Sequence, residues 1–185
     1  MELVQPSRQY VGGFVDALRR GWSPNTERDV SREELSEVAG DANTFLAGLD
    51  DRDPQGRTVT LPDGSRLPRL PAFTRWMWDG QFCGSINARW QLGTPDLPQT
   101  CPGHVGYAVV PWKQRRGNAT QALGQMLALL AAETDLPWVA ITADLDNVPS
   151  QRVITANGGV LQELFNRDPA NGGGPALRYR VTLRP

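Results

Sequence analysis

One stretch, "VVPWKQRRGNATQALG" at 109–124, holds the residue types and spacing that could do chemistry. A β-branched run stops at Pro111, the cations Lys113, Arg115 and Arg116 follow, and Gly117 opens a segment with helical spacing. A helix start leaves its first N–H groups unpaired and carries partial positive charge. Phosphate oxygens satisfy both, and a glycine at the turn lets them come close to the backbone. Gly117 and the small residues Asn118, Ala119 and Thr120 keep that approach open, while Arg115 and Arg116 add charge beside it. The stretch reads as an anion seat; the competing reading is an ordinary helix start with solvated charges. It is not a Walker loop, because no Lys-Ser/Thr follows the glycine, and Gly-x-Gly-x-x-Gly is absent. "NGGGP" at 171–175 precedes a proline and a strand, so it reads as a turn.

Composition narrows the rest. A chain of 185 residues can bury one core and is short for two domains. A net charge of −1 argues against a broad surface for nucleic acid or anionic membrane. No apolar run approaches the roughly 18 residues that span a bilayer, and "MELVQPSRQY" lacks the basic start and apolar core of a signal peptide. A cytoplasmic protein is expected, with Cys83 and Cys101 as reduced thiols. With His104 the only histidine, a histidine-based metal cluster is excluded and no metal is expected.

The elements that must position the anion seat follow from periodicity. Residues 2–5 form a short strand, and Tyr10, Val11, Phe14, Val15 and Leu18 recur at helical spacing between Ser7 and Arg20. Ser31 with Glu34 makes a capping box for a second helix, and Asp41 caps a further turn or two. The Pro- and Gly-rich segment 50–71 contains a hairpin around Pro62-Asp63-Gly64 and is either an exposed connection or a lid. "AFTRWMWDGQFCGSINARW" gives two strands joined at Asp79-Gly80, and "HVGYAVV" at 104–110 is a strand. After the helix from Gly117 come the strand "WVAIT", a short helix ending at Ala156 with Asn157-Gly158 as its cap, and two closing strands. The order implies an α+β fold with one mixed sheet.

Gln114-Arg115-Arg116-Gly117-Asn118-Ala119 fits the pattern Q/R-x-x-G-x-G/A, and this loop resembles the one with which GNAT acyltransferases cradle the pyrophosphate of coenzyme A. Its setting agrees, between a strand ending in Val-Val-Pro and a long amphipathic helix. "WVAITADLDNVPSQRVITANGGV" is similar to that family's fifth strand, fourth helix and sixth strand. The resemblance covers residues 72–166 and extends more loosely to both ends, most closely to a bacterial group with "GHIGY"-like fourth strands. It implies the GNAT acyl-CoA N-acyltransferase fold: one mixed, mostly antiparallel central sheet flanked by helices. The single domain spans 1–185, with N-terminal helices and a hairpin insertion at 1–71 and a cofactor-binding core at 72–166.

By that resemblance the chain is an acetyl-CoA-dependent N-acetyltransferase, with a small-molecule or peptide amine as acceptor; a coenzyme A-binding sensor without turnover is the alternative. Oligomeric state stays open, a homodimer included. Tyr107, Ala108, Val109 and Val110 become the pantetheine segment, Gln114 to Thr120 the pyrophosphate loop, and Asn147 a contact to the cofactor arm or simply a helix cap. The tyrosine that many members use as acid, seven residues beyond Asn147, is Ile154 here. Ser150, on the same side as Asn147, becomes the candidate proton donor. His104, with an ordinary pKa of about 6.5, is the preferred base, set against a strand-end histidine hydrogen-bonded beside a loop. Asp144 and Asp146 are further candidates for base or caps of a turn, and Trp76, Trp78, Trp90 and Trp112 read as core or rim.

Overall fold

The computed structural model describes residues 1–60, 64, 66–168 and 173–184. In chain order its elements are β1 (Glu2–Val4), α1 (Val11–Arg19), α2 (Ser31–Gly48), β2 (Asp50–Asp51), β3 (Thr58–Thr60), β4 (Arg66–Pro68), β5 (Ala72–Trp78) and β6 (Phe82–Arg89). β7 (Val105–Val109), α3 (Asn118–Glu133), β8 (Trp138–Asp144), α4 (Val148–Ala156), β9 (Val160–Asn166) and β10 (Pro175–Thr182) follow. The Asp79-Gly80 hairpin forms as its sequence demands, Gly80 supplying the positive φ of 97°. β3 pairs with β4 as the second hairpin. Its turn residues Leu61, Pro62, Asp63 and Ser65 lie outside the described residues, as do Asn171 and Gly172 of the glycine-rich turn.

Two helix starts differ from expectation. Residues 7–10 form a turn in which the Tyr10 and Val11 amides both reach the Ser7 carbonyl, so α1 begins only at Val11. The Ser31–Glu34 capping box is not made: Val30 is the cap residue, and Asp29 Oδ1 accepts the Ser31 N–H at 2.9 Å. A nearer carboxylate has taken that role, which leaves the Glu34 side chain for something else. Asp41 does break and restart α2: its φ of −152° is not helical, and its carboxylate accepts the Asn43 N–H and the Thr44 hydroxyl.

The α+β fold is as expected, but its sheet is opened into two antiparallel halves. One has the order β1-β5-β6-β7, with β2 also paired to β5; the other has the order β8-β10-β9. The first half is covered on both faces because its apolar residues alternate. Phe73, Met77 and Ile86 pack with Leu123, Met126 and Leu130 of α3 and Ile154 of α4. Trp76, Phe82, Ala108 and Val110 pack on the other face with Phe14 and Leu18 of α1 and Phe45 of α2, where Phe14 stacks on Trp76 at 4.8 Å. The period-2 pleat puts a different helix layer on each face.

The two halves meet at His104, whose N–H donates to the Ala140 carbonyl at 2.7 Å. The Ala140 N–H donates back to His104 Nδ1 at 2.9 Å, so the imidazole takes the place of a backbone carbonyl. His104 is 1% exposed. With Nδ1 an acceptor, the ring is neutral and its proton sits on Nε2. Burial pushes its pKa down to about 4. His104 is thus the hinge of the sheet, and the structure does not support it as a base: the ring is committed to β8.

This predicts a pH signature in stability. An imidazole held neutral when folded, with a pKa of about 4 against about 6.5 unfolded, makes the unfolded state bind more protons between those values. Stability therefore falls as pH drops from about 6.5 to about 4, by up to about 3 kcal/mol for this group. His104→Gln keeps an acceptor for Ala140 but does not titrate. Unfolding free energies of the two proteins, measured by denaturant across that window, should diverge as pH falls; parallel curves would contradict the hinge.

Candidate active site

Because β7 and β8 belong to different halves, the edge of β7 away from β6 has no strand partner among the described residues. A cleft of about 1330 Å³ opens along it. Gly106, Tyr107, Ala108 and Val109 line it from β7, and Thr142, Ala143 and Asp144 from β8. The loop after β7 and the start of α4 close its ends, and the segment from α1 to α2 forms a wall through Phe14, Trp22 and Glu34.

The loop is held in a shape that offers N–H groups. Pro111–Lys113 makes a 3-10 turn. Arg115 adopts a left-handed φ of 59° and Gly117 one of 79°. Such a conformation costs a non-glycine residue about 1 kcal/mol or more, and successive turn residues of this kind make a concave nest for anions. Buried Asn118 donates its Nδ2 to the Lys113 carbonyl at 2.9 Å, and Lys113 Nζ contacts both Asp79 carboxylate oxygens at 2.9 Å. Gly117 is the cap of α3, and among the described residues no side chain caps its first turn, which leaves those amides open. A Cβ at Gly117 would have only Gln121 Nε2 within 4 Å, at 3.7 Å, so this glycine serves φ and close approach rather than protein packing.

Gln114, Arg115, Gly117, Asn118, Ala119 and Thr120 all line the cleft. Gln114 donates its Nε2 to the Val109 carbonyl at 3.1 Å and so braces the loop against the strand. Two of the expected contacts are not brought in. Arg116 is exposed and outside the lining. Val110 is fully buried against the α1–α2 core, and its backbone is spent inside the protein, the N–H donating to the Cys83 carbonyl and the carbonyl accepting from the Lys113 N–H, both at 2.9 Å.

On α4, Asn147 is first of all a cap, its Oδ1 accepting the Ser150 N–H at 3.1 Å. Ser150 faces the cleft, and its Oγ lies 2.7 Å from the Tyr107 hydroxyl. Burial raises the Tyr107 pKa, so the phenol stays protonated. Ile154 is 0% exposed and fills the core under the helix. The phenol at this end of the cleft comes instead from β7, where no local spacing announces it.

Among the carboxylates, Asp144 lines the cleft but pairs with Arg167 at 2.7 Å, and Arg167 also holds Glu27 at 3.3 Å. Asp146 is exposed and outside the lining. Glu34 lines the cleft, and burial, with Glu37 and Glu33 adding repulsion, raises its pKa to about 7. His104 instead lines a second cavity of about 600 Å³, with Trp138, Arg178 and Arg180. Trp76 lines the cleft from the core, whereas Trp90 packs in the other core cluster.

Comparison with known proteins agrees with this geometry. No curated protein matches the chain by sequence. Among solved structures, RimJ of Mycobacterium smegmatis, in complex with a CoA-disulfide, is 18% identical with a TM-score of 0.65, covering 97% of this chain and 80% of that one. A Salmonella typhimurium acetyltransferase that modifies the N-terminal serine of ribosomal protein L7/L12 is 14% identical with a TM-score of 0.59, covering 97% and 93%. The microcin C7 self-immunity acetyltransferase MccE, in complex with acetyl-CoA and AMP, is 12% identical with a TM-score of 0.59, covering 97% and 91%. These likenesses establish the fold. The acetyltransferase (GNAT) domain matches residues 65–160, just over half of the chain, and the protein therefore belongs to the GNAT acetyltransferase family.

Proposed function

We propose that the protein is an N-acetyltransferase that moves the acetyl group of acetyl-CoA directly onto a primary amine of a small molecule or peptide. One observation carries the reading: the uncapped start of α3 and the Tyr107–Ser150 pair face the same cleft, one end fitted to a pyrophosphate and the other to a leaving group. The first-turn amides of α3, with Arg115 beside them, would hold the pyrophosphate. The free edge of β7 would pair with the amides of the pantetheine arm. That arm would run toward Ser150, past Asn147.

The chemistry then follows from the residues present. The acceptor nitrogen bonds to the thioester carbonyl carbon, the C–S bond breaks, and the thiolate takes a proton. In this reading Ser150 Oγ donates it and Tyr107 replaces it, which the short hydrogen bond between the two oxygens supports. Two unpaired cysteines are at home in a reducing compartment, and we place the protein in the cytoplasm. No helix among the described residues is long and apolar enough to cross a membrane.

The test is free-thiol release from acetyl-CoA with three acceptors: a tetrapeptide with a free amino terminus, a lysine side-chain analogue and an aminoglycoside. Release with at least one is expected. Tight coenzyme A binding with no release from any would instead mark a sensor. Ser150→Ala should lower kcat about 10²-fold with coenzyme A affinity unchanged, and a variant with full kcat would remove Ser150 from the reaction.

The two loop arginines should separate in a coenzyme A titration. Arg115→Ala should weaken binding by about 1.5–3 kcal/mol, as for a charge-assisted hydrogen bond. Arg116→Ala, at a side chain outside the cleft, should stay within about 0.5 kcal/mol. Equal effects would contradict the placement of the phosphates at Arg115.

A further inference from the structure

The α1–α2 wall of the cleft has a different character from the phosphate end. Phe14, Trp22 and Trp76 make it aromatic, and Glu34 projects from the first turn of α2. Trp22 is 5% exposed, and its buried indole N–H has no hydrogen-bond partner among the described residues. Three carboxylates line the whole cleft, Glu27, Glu34 and Asp144. Arg167 neutralises two of them. Among the described residues the Glu34 carboxylate makes no ion pair or hydrogen bond, although Ser31 lies one turn back on its own helix. A half-buried carboxylate with no partner is destabilising in a folded chain. Its neighbours make this worse, since Glu33 and Glu37 share its helix. The charged groups of the elements packed on α2 are Asp16 and Arg19 of α1 and Asp50 and Asp51 of β2, and none exerts a comparable field on it.

Given the transferase reading above, we infer that Glu34 is the acceptor's receiving group: its carboxylate binds the incoming ammonium and takes its proton. The step balances. The ammonium gives one proton to Glu34 and becomes a neutral amine with a free lone pair. That lone pair forms the N–C bond as the C–S bond breaks, and the proton for sulfur comes from the Tyr107–Ser150 pair on the opposite side. The second amine proton restores the Tyr107–Ser150 pair through solvent and Glu34 gives its own to bulk water, so one proton is released per amide formed. The burial that raises the Glu34 pKa to about 7 makes it a base poised near neutral pH, where proton transfer to a carboxylate is most effective. At the phosphate end Lys113 is paired with Asp79, and Arg115 adds a positive charge to the lining.

The test is Glu34→Gln, which keeps shape and removes the base, assayed by thiol release with whichever of the three acceptors wild type turns over. At pH 7 kcat/KM should fall about 10²-fold, with coenzyme A affinity within twofold showing that the fold is intact. The gap should close to within about threefold one pH unit above the acceptor's own pKa, of about 8 for an α-amine or about 10.4 for a lysine, because the amine then arrives neutral. A merely structural role would not produce that recovery. Wild-type rates in the variant at pH 7, or a loss of the same size at every pH, would overturn the inference alone. No release from wild type with any acceptor would overturn the transferase reading and this inference together.

Discussion

The reciprocal hydrogen bonds between His104 and Ala140 are the constraint on which the rest of the molecule hangs. They close the β7–β8 seam at one point and commit the imidazole, and beyond them the strands go to separate halves of the sheet. An open strand edge inside a fold is costly, because its N–H and C=O groups want partners. Here the edge is tolerated because it lines a cleft, and because Gln114 satisfies the Val109 carbonyl from the following loop. A second strand paired along this edge would leave no room for an extended ligand.

Around that opening the local rules of protein structure are broken in three places, all facing the same space. Arg115 is left-handed without being glycine, α3 starts with no side-chain cap, and Glu34 is half-buried without a partner. Each departure costs on the order of 1 kcal/mol. The aromatic layer of Phe14, Trp76, Phe82 and Trp22 on one face and the α3 layer on the other supply the compensating burial. Departures from local consistency that cluster on one cleft are what a functional site produces. The two ends are also complementary in sign: cations and amides gather at the start of α3, a free carboxylate at the start of α2.

Much of this was legible in the sequence, for a physical reason. Hairpins at Asp79-Gly80, the break at Asp41 and the glycine before α3 are decided within a few residues, so local pattern finds them. The loop proposed for the pyrophosphate belongs to the same class. What pattern could not find depends on which residues meet across the fold. Ser31 and Glu34 have capping-box spacing, yet Asp29 reaches the Ser31 N–H and frees Glu34 for the cleft. His104 has the type and position of a base, and only its contact with a strand 36 residues away reveals a hinge. Tyr107 sits in a strand, where spacing alone does not distinguish packing from chemistry, and its hydroxyl meets Ser150 43 residues on. Arg115 and Arg116 are adjacent, alike and both exposed, yet only Arg115 lines the cleft.

Amide hydrogen exchange of the full chain, with and without coenzyme A, asks whether the open edge of β7 and the start of α3 are where the ligand lies. Exchange should slow on addition of coenzyme A at residues 105–109 and 117–120, which carry the β7 edge facing away from β6 and the uncapped start of α3, while the His104 and Ala140 amides stay protected in both states. Unchanged exchange at both segments under saturating coenzyme A, or protection confined to the cavity beside His104, would contradict the assignment of this cleft.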